Sequence, residues 1–231
     1  MGGAGEMART VGAGASREQI LGSLSGRSAT HYRAQHVAEL ELLHKSYGRV
    51  STVSEAKMVV DSSKNPGYFL NLLNTNGFEL YFVHLVRDPL AVAASWVSKK
   101  RTLDASADEE FPIYAPFRSA LQWSLYNFFA SNFRKSLGSR YMQVSHEEFC
   151  ATPGKVVREV LGFLGEDYSD VSLDQCEFGV RVHHTISGNP SRFITGRVRV
   201  EEKDSPKLNM MQRLLVRGLT GPASAILKQR R

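Results

Sequence analysis

Two polar clusters each follow a short apolar run, and their residue types suit the handling of an anion. Met-Val-Val at 58–60 leads into Asp61-Ser62-Ser63-Lys64, and Leu-Tyr-Phe-Val-His-Leu-Val at 80–86 leads into Arg87-Asp88-Pro89. After Pro89 comes Leu-Ala-Val-Ala-Ala-Ser-Trp, an apolar stretch with Ser95 in it. If that stretch is helical, its N-terminus is flanked by Arg87, Ser95 and Lys64, a setting in which partial positive charge and fixed cations can hold an anion. Further on, His183-His-Thr-Ile-Ser-Gly-Asn-Pro-Ser-Arg-Phe carries Gly188, where backbone could approach a ligand closely, and Arg192, which could give bidentate hydrogen bonds to phosphate. A metal reading of His183-His184 is poor, because adjacent histidines point apart and no third ligand is placed.

These residues need elements to position them. The runs at 58–60 and 80–86 have the length and the β-branched or aromatic content of buried strands. In an open parallel sheet the strand carboxyl ends form the ligand crevice, which would bring both polar clusters to one edge. Asp88-Pro89 is a helix start signal. A further strand is expected from Arg140 through Val144, with Ser145 and His146 at its exit. His146 reads as a strand-end histidine rather than a catalytic base, since no carboxylate is placed to orient it.

The ordered combination of Asp61-Ser62-Ser63-Lys64 with Val86-Arg-Asp-Pro-Leu-Ala-Val-Ala-Ala-Ser-Trp96 resembles the sulfotransferases that use 3′-phosphoadenosine 5′-phosphosulfate (PAPS). The resemblance runs from about His31 to the C-terminus. In that family an Arg-Asp-Pro-Arg-Ala-Val-Ala-x-Ser pattern holds the nucleotide 3′-phosphate, its Arg matching Arg87 and its Ser matching Ser95. The family's post-strand Ser-Lys-x-Pro lysine matches Lys64, which implies a place near the bridging oxygen. Asp61 would then orient Lys64, act as base, or serve the strand end structurally. The C-terminal His-x-x-x-Gly-Asn-Pro-x-Arg-Phe loop of the family is similar to 184–193 and implies nucleotide contacts from Gly188, Asn189 and Arg192. Thr152-Pro153 and the segment ending Phe163-Leu164-Gly165 also match, whereas Ser145 and His146 replace the family's Arg-Tyr.

The resemblance implies an α/β fold like that of the P-loop nucleotide kinases, a mostly parallel sheet flanked by helices. It implies transfer of a sulfuryl group from PAPS to a hydroxyl or amine on a small-molecule or glycan acceptor, without a metal. The family's 5′-phosphosulfate loop lies on an earlier strand. Sixty residues precede Asp61 here, and none reads as a strand with such a loop. The expected domain is therefore N-terminally incomplete, and a non-catalytic nucleotide-binding remnant is the alternative reading. The glycines near the N-terminus and Ser25-Gly-Arg-Ser-Ala-Thr30 suggest phosphate loops, but no strand leads into either.

The rest of the chain fits one domain at 17–231 behind a flexible Gly- and Ala-rich start at 1–16. Helices are expected at 18–24, at 31–47 with Gly48 and the following Ser51-Thr-Val-Ser54 ending it, at 66–73, and at 117–137 with a core stripe of Trp123, Tyr126, Phe129 and Phe133. A last helix at 208–227 is expected to break near Gly218–Pro222. The stretch 101–115 reads as an irregular loop that could face the acceptor. The 231 residues are 42% hydrophobic and 23% charged, ordinary values for a globular protein. No run approaches the length of a membrane span. Two cysteines make neither a disulfide framework nor a metal site, so a cytoplasmic compartment is expected. The net charge of +6 suits an anionic ligand or an anionic membrane surface. A nucleic acid polymer is not expected, because no basic–aromatic interleaving accompanies the charge.

Overall fold

The computed structural model of the chain describes residues 34–62, 65–97, 114–167, 177–180, 196–199 and 208–229. The expectations for 1–16, 18–24, 25–30 and 101–113 lie outside these residues. The chain divides into two compact units, Met1–Leu80 and Tyr81–Arg231.

In the first unit, helix α1 spans Val37–Ser54 and helix α2 spans Pro66–Asn74. Leu40 and Leu43 of α1, and Phe69, Leu70 and Leu72 of α2, are buried. α1 runs past Gly48 and ends with the Ser51-Thr-Val-Ser54 run, the later part of the expected stop. In this polar run, Thr52 Oγ1 donates to Gly48 O at 2.9 Å and Ser54 Oγ donates to Val50 O at 2.7 Å. Turning hydroxyls back on the preceding turn satisfies them without leaving the helix. The stop comes at Glu55, in the left-handed region at φ 52°. α2 begins as expected, with Asn65 Oδ1 accepting from Gly67 N at 2.9 Å and Pro66 in the first turn. It is followed by Gly77 at φ +87°, packed so closely on the His44 ring that a Cβ would lie 2.9 Å from Cε1. The run at 58–60 forms no strand. Val60 is 84% exposed, and among the described residues of its unit this short apolar run has no neighbouring strand to pair with.

In the second unit, strand β1 (Phe82–Val86) pairs in parallel with β2 (Tyr141–Ser145), in a register that sets Val86 opposite Ser145. Between them come helix α3 (Pro89–Val97) and helix α4 (Pro116–Leu137). A 3₁₀ turn at Gly138–Arg140 leads into β2. Helices α5 (His146–Ala151) and α6 (Pro153–Leu164) follow, and Gly165 closes α6 at φ +72°. Strands β3 (Glu177–Val180) and β4 (Gly196–Arg199) form a separate antiparallel pair. The chain closes with helix α7 (Met210–Gln229). The described residues are thus mostly helical around a two-stranded parallel sheet, a loose α/β arrangement smaller than the expected sheet.

The core of this unit is built by α3, α4 and α7. Ala93, Ala94, Ala120, Leu208 and Val216 form one buried cluster, and Trp123, Ala223 and Leu227 another, with Val86 and Val92 packed against it. Small alanines on α3 let the three helices approach closely. α7 runs unbroken through Pro222, where an interruption is expected from sequence. Burial of Val216, Thr220, Ala223 and Leu227 along one face holds the helix across the missing ladder donor. The Trp123 and Phe129 part of the expected aromatic stripe is buried.

Candidate functional site

The turn from β1 into α3 is held by hydrogen bonds with α4 and α5 and by its own cap. Trp123 Nε1 on α4 donates to Arg87 O at 3.0 Å. Asp88 N donates to Glu147 Oε1 at 2.7 Å, and Ser145 Oγ at the end of β2 donates to Glu147 Oε2 at the same distance. Asp88 also caps α3: its Oδ2 accepts from Ala91 N at 2.9 Å and its carbonyl accepts from Val92 N at 3.0 Å. The parallel register makes this possible, since it brings the carboxyl ends of β1 and β2 side by side. Burial raises the Glu147 carboxyl, but the hydrogen bonds from Asp88 and Ser145 outweigh it and hold the group below its ordinary range. Glu147 is missed by sequence reasoning, where the segment is read as a strand exit; its signal is the Ser-x-x-Glu spacing of 145–148, a helix start in which Ser145 caps Glu148 N.

One group of this turn stands apart. Arg87 Nε is buried and has no hydrogen-bond partner, and among the described residues Arg87 forms no ion pair. The neighbouring carboxylate of Asp88 is engaged in capping. Buried donors are almost always satisfied, so an orphaned guanidinium nitrogen at a strand end is a candidate ligand contact. Ser95 lies on α3, about 10 Å of helix rise beyond Asp88. One strand–turn–helix unit therefore carries both Arg87 and Ser95.

Behind the turn, β1 is anchored by His84, which is 7% exposed. Asn127 Nδ2 donates to Trp123 O at 2.8 Å, which leaves Asn127 Oδ1 as acceptor for His84 Nε2 at 2.9 Å. The other ring nitrogen, Nδ1, accepts from Tyr141 OH at 2.6 Å. Burial pushes the imidazole down to about 4, only partly opposed by Asn127, so this histidine is a neutral clamp between β1, β2 and α4. His146 begins α5, and its ring nitrogens lie 3.7 and 4.0 Å from Cys150 Sγ.

Asp61 belongs to the first unit. Its carboxylate accepts a hydrogen bond from Tyr47 OH, and Tyr47 OH lies 2.9 Å from Tyr68 OH. Burial, then the bond to Asp61, drives the Tyr47 phenol far above its ordinary value, and burial likewise raises Tyr68. Tyr47 is thus a fixed donor that orients Asp61. Lys64, Gly188, Asn189, Arg192, His183 and His184 lie outside the described residues. No cluster of potential metal ligands occurs among the described residues, and no described helix is long and apolar enough to cross a membrane. No family model, curated protein or solved structure matches the chain.

Proposed function

We propose that this chain is a sulfotransferase that moves a sulfuryl group from PAPS to a hydroxyl or amine acceptor on a small molecule or glycan. The observation that carries the reading is the buried, unpartnered Nε of Arg87 at the carboxyl end of β1. It supports the role that the Arg-Asp-Pro…Ser resemblance implies, contact with a nucleotide 3′-phosphate, and the donor chemistry fits a phosphate oxygen. Arg87 and Ser95 would bind that phosphate, and Gly188, Asn189 and Arg192 would complete the nucleotide contacts. In transfer the bond between sulfur and the phosphate oxygen breaks, a bond from sulfur to the acceptor forms, and the acceptor loses its proton. Lys64 would balance charge on the departing phosphate, and Asp61, oriented by Tyr47, would position Lys64 or take the proton. A cytoplasmic location is part of the proposal.

The alternative is a non-catalytic nucleotide-binding remnant. One observation favours it: among the described residues before β1 there are helices α1 and α2 but no strand to carry a 5′-phosphosulfate loop. Calorimetric titration of the chain with adenosine 3′,5′-bisphosphate, beside adenosine 5′-monophosphate, tests the shared half-site. Binding that requires the 3′-phosphate supports it, and a folded chain with no preference between the two ligands overturns both readings. Sulfuryl transfer from PAPS then separates them: Lys64→Ala should cut turnover with little change in nucleotide affinity, whereas binding without any turnover assigns the remnant.

A further inference from the structure

The two longest helices of the second unit each carry an apolar stripe that nothing among the described residues covers. On α4, Phe117, Leu121, Leu125 and Phe128 are 37% to 51% exposed, at spacings that place them in one stripe. On α7, Met210, Met211, Leu214 and Leu215 are 47% to 76% exposed. The seam between the helices passes beside the α4 stripe and the Leu215 end of the α7 stripe. Ser124, next to Leu121 and Leu125 on α4, donates its hydroxyl to Leu219 O at 3.1 Å, one turn beyond Leu215 on α7. Leu121, Leu125 and Leu215 therefore lie at the rim of the α4–α7 seam, while Met210, Met211 and Leu214 lie on the side of α7 opposite its buried residues Val216, Thr220, Ala223 and Leu227. Exposed apolar patches of several hundred Å² mark interaction surfaces.

Charge decides what the surface fits. Neither helix contains a single acidic residue over its 22 or 20 positions, while α4 carries Arg118, Arg134 and Lys135 and α7 carries Arg213, Arg217 and Lys228. All six cationic residues are exposed. A second copy of the chain would set two such cationic helix pairs against each other, which disfavours self-association through this face. A polynucleotide would match the charge but not the aliphatic stripes, which offer no stacking platform beyond two phenylalanines. An interfacial membrane surface matches both features, with apolar side chains entering the acyl boundary and Arg and Lys held at anionic headgroups. Neither helix is apolar enough to span a bilayer.

We propose that the α4–α7 face docks the protein onto an anionic phospholipid surface. This uses none of the residues assigned to nucleotide binding and stands independently of that assignment. The test is flotation of the full chain with vesicles of phosphatidylcholine containing about a third phosphatidylserine, beside vesicles of phosphatidylcholine alone. The chain should float with the anionic vesicles, and high salt should release it. Leu121→Glu with Phe128→Glu should abolish flotation with an unchanged thermal transition, since both side chains are exposed. Arg213→Gln with Arg217→Gln should weaken it about 25-fold, the product of roughly fivefold per cation near the surface. This second pair touches no apolar packing and carries the test even if the glutamate variant folds poorly. The proposal is overturned if the wild-type chain ignores anionic vesicles at low salt, or if the arginine variant floats as well as wild type. A concentration-dependent dimer abolished by the glutamate pair without vesicle binding would reassign the face to self-association. Binding to polyglutamate but not to vesicles would reassign it to an acidic protein partner. Either result refutes the lipid proposal.

Discussion

Replacing Arg87 by methionine should make the protein more stable and less able to bind nucleotide. The substitution keeps much of the unbranched apolar stem and removes a charged donor whose Nε is buried without a partner. An unsatisfied buried donor costs about 1–3 kcal/mol, and the residue is half-buried, so the lower end of that range applies. A gain of about 1 kcal/mol corresponds to a rise in Tm of roughly 2–4 °C for a unit of this size. The surrounding bonds predict no compensating loss, because Trp123, Glu147 and Ala91 engage the backbone of Arg87, the backbone of Asp88 and the side chain of Asp88, none of which the substitution changes. The same change should weaken binding of adenosine 3′,5′-bisphosphate by about 2–3 kcal/mol, which is roughly 30- to 150-fold. Differential scanning calorimetry and isothermal titration on the one variant read both numbers. Arg87→Lys retains the charge but cannot reproduce the guanidinium fork, and should recover only part of the affinity. A variant that loses stability while keeping its affinity would refute the reasoning, since Arg87 would then be a structural residue.

Two further outcomes concern the frame. His84 has a folded-state value of about 4, below the ordinary 6.5, because burial disfavours its charged form. Between those values the unfolded chain takes up a proton that folded His84 refuses, so its contribution is complete above pH 6.5 and is lost as pH falls to 4. The loss is about 3 kcal/mol, from 2.5 pH units at roughly 1.36 kcal/mol each. Urea unfolding of wild type and His84→Gln across this window should show the variant with the shallower slope, and equal slopes would sink the assignment. Glu147 also loses its contribution as pH falls, which is why the difference between variants is the quantity to read. In the first unit, Gly77→Ala should destabilise by about 1–2 kcal/mol through the positive φ alone, with more from contact with His44. Gly77→Asn should relieve part of the conformational share, and an alanine variant as stable as wild type would show that this turn rearranges freely.

How far the sequence reveals the structure depends on whether local signals or partners decide each segment. Asn65-Pro66, Asp88-Pro89 and Thr152-Pro153 mark helix starts within a residue of where they occur, because proline's fixed φ acts locally. The run at 80–86 reads correctly as a strand because β2 completes it. The run at 58–60 has similar composition but forms no strand, and no property of three residues distinguishes the two cases. α7 escapes sequence reasoning in the opposite direction. Gly218 and Pro222 are local helix breakers, yet burial of Val216, Thr220, Ala223 and Leu227 overrides them.

The same distinction governs the candidate site. Arg87 and Ser95 can be picked from sequence because their spacing to Asp88-Pro89 is a local pattern. What makes Arg87 notable is not local. Its orphaned nitrogen stands out because Glu147, 59 positions from Asp88, takes up the Asp88 amide. Glu147 in turn reaches that amide only because β1 and β2 are parallel and in a register that aligns Val86 with Ser145. A turn fixed at its amide, its carbonyls and its cap cannot rearrange to satisfy the guanidinium, so any relief must come from a group outside the turn. An oxyanion supplies that relief with both charge and acceptor geometry, whereas a water molecule supplies only the acceptor. A comparison of phosphate-bearing and neutral nucleosides, with and without the Arg87 side chain, measures that contribution.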